Sequence, residues 1–327
     1  MPPGRCRERS LSSSFSDIFD LDHSSFSSFP VILIRMTEDT HVLEKPPEGA
    51  GTDWTISQEW NSYSPEDHET WDILFKRQVA QLPGRASQAF IDGIDILKLS
   101  KPGIPDFGEL SEILMKETGW QVVAVPGLVP DDVFFDHLAN RRFVAGNFIR
   151  RREQLDYLKE PDVFHDVFGH VPMLANPVFA DYMEAYGRGG LRALEYDSLD
   201  HLARLYWYTV EFGLIEEADG LRIYGSGIVS SHGESLFSLD DPSPNRIGFD
   251  MKRVMRTNYR IDDFQQVYFV IPSYEELLRL TVETDFAPLY RDLESASDFA
   301  PDDIAEGDRI LTRGTQAYAR ERAASPA

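Results

Sequence analysis

The sequence holds a single cysteine, Cys6, among 327 residues. An internal disulfide is therefore excluded, and a thiolate-based metal cluster with it. Lysine is also scarce: it supplies 7 of the 32 basic residues, against 55 acidic ones, for a net charge of −23. Acids exceed bases along the whole chain, so nucleic acid and anionic membrane surfaces are poor partners, and the acidity serves solubility. No apolar run approaches the ~20 residues that a membrane span needs. Arg5, Arg7 and Arg9 are followed by serines, not by the apolar core of a signal peptide. There is no internal repeat. These absences point to a globular protein of a reducing, cytoplasmic compartment, with neither nucleic acid nor membrane as partner.

What is present is a large potential core, with 42% hydrophobic content. Residues 1–50 contribute little to it. They are rich in serine and end in Pro46, Pro47 and Gly49, a composition that cannot bury enough surface to fold. Met36 opens a more ordinary stretch, so the expected natural start is Met36, with residues 1–35 as an upstream extension. The folded domain is expected over 51–312, with 313–327 as a C-terminal tail.

Within that domain, Ser64-Pro65-Glu66-Asp67 has the form of a helix start, followed by Trp71, Leu74, Phe75 and Val79 at helical spacing. A second helix is predicted within 105–119, with Gly119 as its stop. Ser198 is expected to cap a long helix reaching about Leu214, and Ser273 one containing Leu277, Leu278 and Leu280. Short strands are predicted over 121–125, 221–224 and 267–271. The expected class is α+β, mostly helical, with a few short strands at the edges.

The chemistry concentrates in two stretches. Residues 160–174 read Glu-Pro-Asp-Val-Phe-His-Asp-Val-Phe-Gly-His-Val-Pro-Met-Leu, and 206–214 read Tyr-Trp-Tyr-Thr-Val-Glu-Phe-Gly-Leu. His165, His170 and Glu211 are the ligand inventory of a two-histidine, one-carboxylate metal site. A spacing of five turns a regular helix by roughly 140°, so the two histidines would not share a face of one. Pro172 disfavours helical geometry at Val171, and Gly169 permits irregular backbone beside His170. A helix that ends or deforms here is the expectation. Glu211 lies in an apolar turn, where an isolated carboxylate is costly to bury and a metal ion removes the difficulty. The inventory alone also fits catalytic zinc. The usual zinc-hydrolase signature spaces its histidines by four with a glutamate after the first; here the spacing is five and Asp166 follows.

These two motifs, followed by Tyr-Gly-Ser-Gly-Ile-Val-Ser-Ser-His-Gly-Glu at 224–234, resemble the pterin-dependent aromatic amino acid hydroxylases over about 54–280. The similarity is greatest to the short bacterial phenylalanine 4-hydroxylases, which lack the regulatory domain and the tetramerisation helix of animal members. It implies the catalytic-domain fold of that family, a monomer, Fe(II) and tetrahydropterin as cofactors, and conversion of L-phenylalanine and O2 to L-tyrosine. It assigns His165, His170 and Glu211 to iron. It assigns Phe134, Gly127, Val129, Ala203 and Tyr206 to the pterin, although Phe134 beside Phe135 also suits plain core packing. It assigns Arg150, Pro161, Trp207 and Ser230 to the substrate region. Arg150 would grip the substrate carboxylate, and Ser230 would orient His165 or the substrate. Tyr224-Gly225-Ser226-Gly227 has an alternative reading as an ordinary glycine turn and is not a nucleotide-binding loop. Glu234 reads as a buried structural acid paired with a base, with a cavity role as the alternative. His232 stands where animal members have phenylalanine and is not assigned to iron. Trp207, and Val270 at a position where tyrosine hydroxylases place an acid, favour phenylalanine. A tryptophan hydroxylase, a zinc hydrolase and a non-catalytic pterin- or amino-acid-binding protein are the alternatives.

Overall fold

The computed structural model describes residues 45–156, 160–196 and 198–324. Met36 and most of the expected N-terminal tail lie outside the described residues. Helix α1 (Pro65–Val79) starts with a reciprocal capping box: Ser64 Oγ accepts from Asp67 N at 3.2 Å, and Asp67 Oδ2 accepts from Ser64 N at 2.8 Å. Its Trp71 and Leu74 enter the core. After α2 (Gln88–Ile96), α3 (Phe107–Glu117) is capped by Asp106. It stops at Gly119, whose φ of +77° suits only glycine well and whose N–H reaches Leu114 O at 2.9 Å. Strands β1 (Gln121–Val125) and β2 (Arg142–Gly146) pair in parallel, with α4 (Asp131–Ala139) as the crossover.

Next comes a π-helical turn over Phe164–His170, then α5 (Pro177–Glu195), the longest helix described. Its N-terminus is held by Asn176 Oδ1, which accepts from Val178 N and Phe179 N at 3.0 Å each. Sequence reasoning misses α5, because Gly187, Gly189 and Gly190 weaken its intrinsic preference. Two of these glycines are required by packing. A Cβ on Gly190 would lie 2.0 Å from the Phe135 ring, and one on Gly187 would lie 2.5 Å from Ala139 N, so α5 sits directly on α4.

Helix α6 (Leu199–Tyr206) is shorter than expected. It passes into a second π-helical turn, Trp207–Glu211, where Phe212 N bonds Trp207 O five residues back at 2.7 Å. Gly213 follows. Helical geometry ends at Phe212, with φ −122° and ψ 30°, short of Leu214; a Cβ on Gly213 would lie 2.2 Å from Thr209 O and 2.3 Å from Tyr224, so only glycine fits there. Ser198 makes no side-chain cap; its hydroxyl donates to Tyr196 O at 3.1 Å instead.

The remaining elements are β3 (Leu214–Glu217), β4 (Gly220–Ile223), α7 (Ser226–Val229), α8 (His232–Asp240), β5 (Asn245–Gly248), α9 (Met251–Met255), β6 (Val267–Ile271), α10 (Tyr274–Glu283), α11 (Phe286–Glu294), β7 (Ile310–Thr312) and α12 (Ala317–Ala324). Five strands form a mixed sheet in the order β4-β3-β6-β5-β7. The α+β class, mostly helical, is observed, but the sheet is not peripheral. Its middle strand β6, Val-Tyr-Phe-Val-Ile, is buried throughout, as a strand covered on both faces must be. The segment expected as a tail at 313–327 contains α12. Tyr318 packs on Phe237 and Phe264 and donates to Asp263 Oδ1 at 2.8 Å, which holds that segment against the domain.

Gly190→Ala is expected to lower stability by about 1–3 kcal/mol through overpacking against Phe135, with an unchanged denaturant slope. Urea unfolding of the two proteins checks this.

Candidate metal centre

The first π turn closes hydrogen bonds five residues apart, so residues five apart return to the same side. That is why His165 and His170, split by a regular helix, meet here: their Nε2 atoms are 3.3 Å apart. The second π turn delivers Glu211, with Oε1 3.3 Å from His170 Nε2 and Oε2 3.7 Å from His165 Nε2. All three residues are buried. A divalent first-row ion about 2.1 Å from each donor, with donors at right angles, needs them about 3.0 Å apart. The observed spacings fit that requirement. The donor set, two imidazole nitrogens and a carboxylate with no thiolate, suits iron and leaves one face open.

Groups behind the cluster set its protonation and orientation. The Ser230 hydroxyl donates to Ser226 O at 2.7 Å, so its oxygen is left to accept from His165 Nδ1 at 3.0 Å. That puts the His165 proton on Nδ1 and a lone pair on Nε2, facing the cluster. His165 N donates to Asp162 Oδ1 at 3.1 Å. Asp162, fully buried, also takes Arg150 through Nε and Nη2 at 2.8 Å each and through the Arg150 backbone N–H at 2.9 Å. The Ser226 hydroxyl donates to Glu211 Oε2 at 2.8 Å.

Burial pushes His165 down to about 4, partly opposed by Glu211, so the ring is neutral and available as a ligand at pH 7. Burial alone would raise Glu211, but the facing histidines and the Ser226 hydroxyl bring it below the ordinary carboxylate value. Burial pushes Asp166 up to about 7, although it accepts Gly146 N–H at 2.8 Å. The cluster is therefore two rings and one carboxylate converging on one point inside the domain.

The family model of biopterin-dependent aromatic amino acid hydroxylases matches residues 58–288. The chain belongs to that family. It is 64% identical over 274 residues to the phenylalanine-4-hydroxylase of Caulobacter vibrioides, covering 84% of this chain and 93% of that protein. It is 59% identical over 264 residues to that of Ralstonia nicotianae, covering 81% and 84%. Among solved structures, Chromobacterium violaceum phenylalanine hydroxylase with bound Fe(III) matches at TM-score 0.77 and 57% identity, over 79% of this chain and 94% of that one. The same enzyme with iron and phenylalanine bound matches at TM-score 0.76 and 54% identity, over 79% and 94%.

The hydroxylase-type site residues expected from sequence divide into two groups. Gly127, Val129 and Pro161 line one cavity together with Asp166, Phe148 and Glu160. Gly127 adopts φ +147°, so its conformation, not crowding, calls for glycine. Phe134, Ala203, Tyr206 and Trp207 do not line that cavity; they are packed in the core. Phe134 meets Tyr206 edge-on at 6.0 Å, and Tyr206 lies parallel to His170 at 6.3 Å, so these rings lead from α4 to the cluster. Trp207 is covered by Tyr259 at 4.3 Å and Phe212 at 4.6 Å, and its indole N–H donates to Gln265 Oε1 at 2.9 Å. Of the arginine triplet only Arg150 is buried. Arg152 pairs with Glu66 and Glu69 on α1, and Arg151 is exposed. Ser230 serves His165. His232 is exposed, outside the cluster.

Two readings need correction. For Tyr224–Gly227 the alternative reading as an ordinary turn falls, because the Ser226 hydroxyl donates to Glu211 Oε2. The signal was present in the glycines flanking Ser226, but only the folded chain shows what they approach. Glu234 is buried as expected but meets no basic side chain among the described residues: the Tyr268 hydroxyl donates to it, and Gln265 N does so at 3.4 Å.

Burial pushes Glu234 up to about 8 from an ordinary value of 4.5. Between those values the folded state keeps a proton that the unfolded chain has released. The stabilisation is complete below about pH 4.5 and is lost as pH rises through about 8, with a slope of up to ~1.4 kcal/mol per pH unit. Glu234→Gln should remove this slope. Thermal unfolding from pH 5 to 8 should show the variant gaining on the native protein as pH rises; parallel curves would refute the assignment.

Proposed function

We propose that the protein is a pterin-dependent iron monooxygenase that hydroxylates L-phenylalanine to L-tyrosine with O2 and tetrahydropterin. The observation that carries this reading is the buried His165–His170–Glu211 cluster, in a chain with high identity to phenylalanine-4-hydroxylases across most of its length. In this reading His165, His170 and Glu211 hold Fe(II), and the iron and pterin together activate dioxygen. The chain itself supplies placement and dryness.

Ser230 keeps the His165 lone pair directed at the cluster. Arg150 gives Nε and Nη2 to Asp162, and its Nη1 donates to no described residue, which suits it to grip the substrate carboxylate. Because Asp162 also takes the His165 backbone N–H, the same carboxylate fixes both the substrate grip and one metal ligand. Gly127 and Val129 would offer backbone to the pterin, with Phe134, Ala203 and Tyr206 forming the aromatic and apolar wall behind it. Pro161 and Trp207 would bound the substrate ring. Val270, buried on β6, places no charge near a ring that lacks a hydroxyl. Tryptophan hydroxylation is not favoured, since the relatives compared are phenylalanine hydroxylases. No helix among the described residues is long and apolar enough to cross a membrane, and the reading is of a monomer acting in the cytoplasm.

The test is anaerobic Fe(II) reconstitution followed by O2, L-phenylalanine and a synthetic tetrahydropterin, with tyrosine quantified by mass. Tyrosine is expected only in the complete iron sample, not with Zn(II) or without pterin. Glu211→Ala should lower the yield more than ~100-fold, beyond the usual loss for a residue that merely supports a ligand. Absence of tyrosine from the complete sample, with 5-hydroxytryptophan formed from L-tryptophan, would reassign the substrate. Silence with every aromatic amino acid would overturn the reading.

A further inference from the structure

We infer that Ser226, at the start of α7, is a positioning residue that holds the Glu211 carboxylate directly and backs His165 through Ser230. The inference rests on the iron-site reading above. Two hydrogen-bond routes and one close backbone approach support it. The Ser226 hydroxyl donates to Glu211 Oε2 at 2.8 Å. Its carbonyl accepts from Ser230 Oγ at 2.7 Å, and that oxygen in turn accepts from His165 Nδ1 at 3.0 Å. Its carbonyl oxygen and Cβ lie 3.0 and 3.2 Å from the place a Cβ would take on Gly169, the residue before His170. Ser226 is itself 2% exposed, so these contacts are shielded from bulk solvent.

The local sequence makes this approach physically specific. Neither Gly225 nor Gly227 has a positive φ, so conformation does not demand glycine at either position. Space does. A Cβ on Gly225 would lie 2.3 Å from Glu211 O, and one on Gly227 would lie 3.2 Å from Glu211 Oε2 and 2.9 Å from Phe212 Cζ. Flanking glycines let the serine reach a carboxylate presented by a π turn. The hydroxyl also lies 3.1 Å from Val210 O, but a single proton serves the shorter, charge-assisted contact better. Its hydrogen bond fixes the rotation of the carboxylate group, so Glu211 is set before a metal arrives.

The test is titration of the metal-free protein with Co(II), followed by visible absorption, with metal-free thermal unfolding measured alongside. The proteins are the native chain, Ser226→Ala, Gly227→Ala and Ser235→Ala. Ser235 is a buried serine whose hydroxyl lies 2.7 Å from both Ile228 O and Ser231 O, one of which takes its proton, with no contact to the cluster. Ser226→Ala should weaken Co(II) binding by ~10–100-fold and alter the absorption envelope. Gly227→Ala, which pushes α7 off Glu211, should weaken it as well. Ser235→Ala should lose stability and keep the native Co(II) affinity and spectrum. If Ser226→Ala binds Co(II) within about twofold of the native chain with the same spectrum, the inference is overturned. The same holds if Ser235→Ala loses affinity as strongly, since general loosening then explains the effect. Should Ser226→Ala not fold, a folded Gly227→Ala with native affinity overturns it. A native chain that binds no Co(II) would refute the iron-site reading itself, which separates the two failures.

Discussion

Two imidazoles and a carboxylate must be held together inside the domain, away from bulk solvent, and most of the site's construction follows from that constraint. Each group alone would be costly to bury. Together they form a mutually compensating set, provided that their lone pairs converge and their remaining atoms are bonded outward. The outward bonding is visible at His165 through Ser230, at Glu211 through Ser226, and at the His165 backbone through Asp162. Asp162 is satisfied in turn by the Arg150 guanidinium, so the network ends in a paired charge and not in an orphan.

The two π turns follow from the same constraint. A regular helix repeats near 3.6 residues, and a pair of ligands five apart would point in different directions. Widening the turn over Phe164–His170 brings the pair together, and widening it again over Trp207–Glu211 directs the carboxylate at them. Such turns are intrinsically unfavourable and persist only when the surroundings over-determine them. Here the surroundings are dense. Phe164 stacks on Phe168 at 4.8 Å, Phe143 lies 4.9 Å from His170, and Tyr259 and Phe212 cover Trp207. The aromatic core therefore stabilises the backbone distortion as well as excluding water.

Stretches whose information is local were legible from the chain. The Ser64 capping box, the Gly119 stop, strands β1 and β6 and the helix after Ser273 were readable because caps, stops and apolar runs act over a few residues. The glycine-rich α5, the length of α6 and the role of Ser226 were not. In each, a neighbour far along the chain overrides the local preference: Phe135 under Gly190, Tyr224 against Gly213, and Glu211 against Gly227. The packed α12 belongs with them, since its attachment depends on Asp263, Phe237 and Phe264.

By itself the sequence determined the inventory: His165, His170 and Glu211 in motifs specific enough to name a family, and Arg150 as the candidate carboxylate grip. It could not determine convergence. Periodicity in the chain speaks of regular helices, and the site exists because two helical segments depart from regularity under tertiary packing. Only the folded structure decided that ligands five apart share a side, that Ser230 serves the histidine, and that a serine between two glycines reaches the carboxylate. The last two are contacts between residues 65 and 15 positions apart, and their geometry is set by the packing of whole elements, not by any local preference.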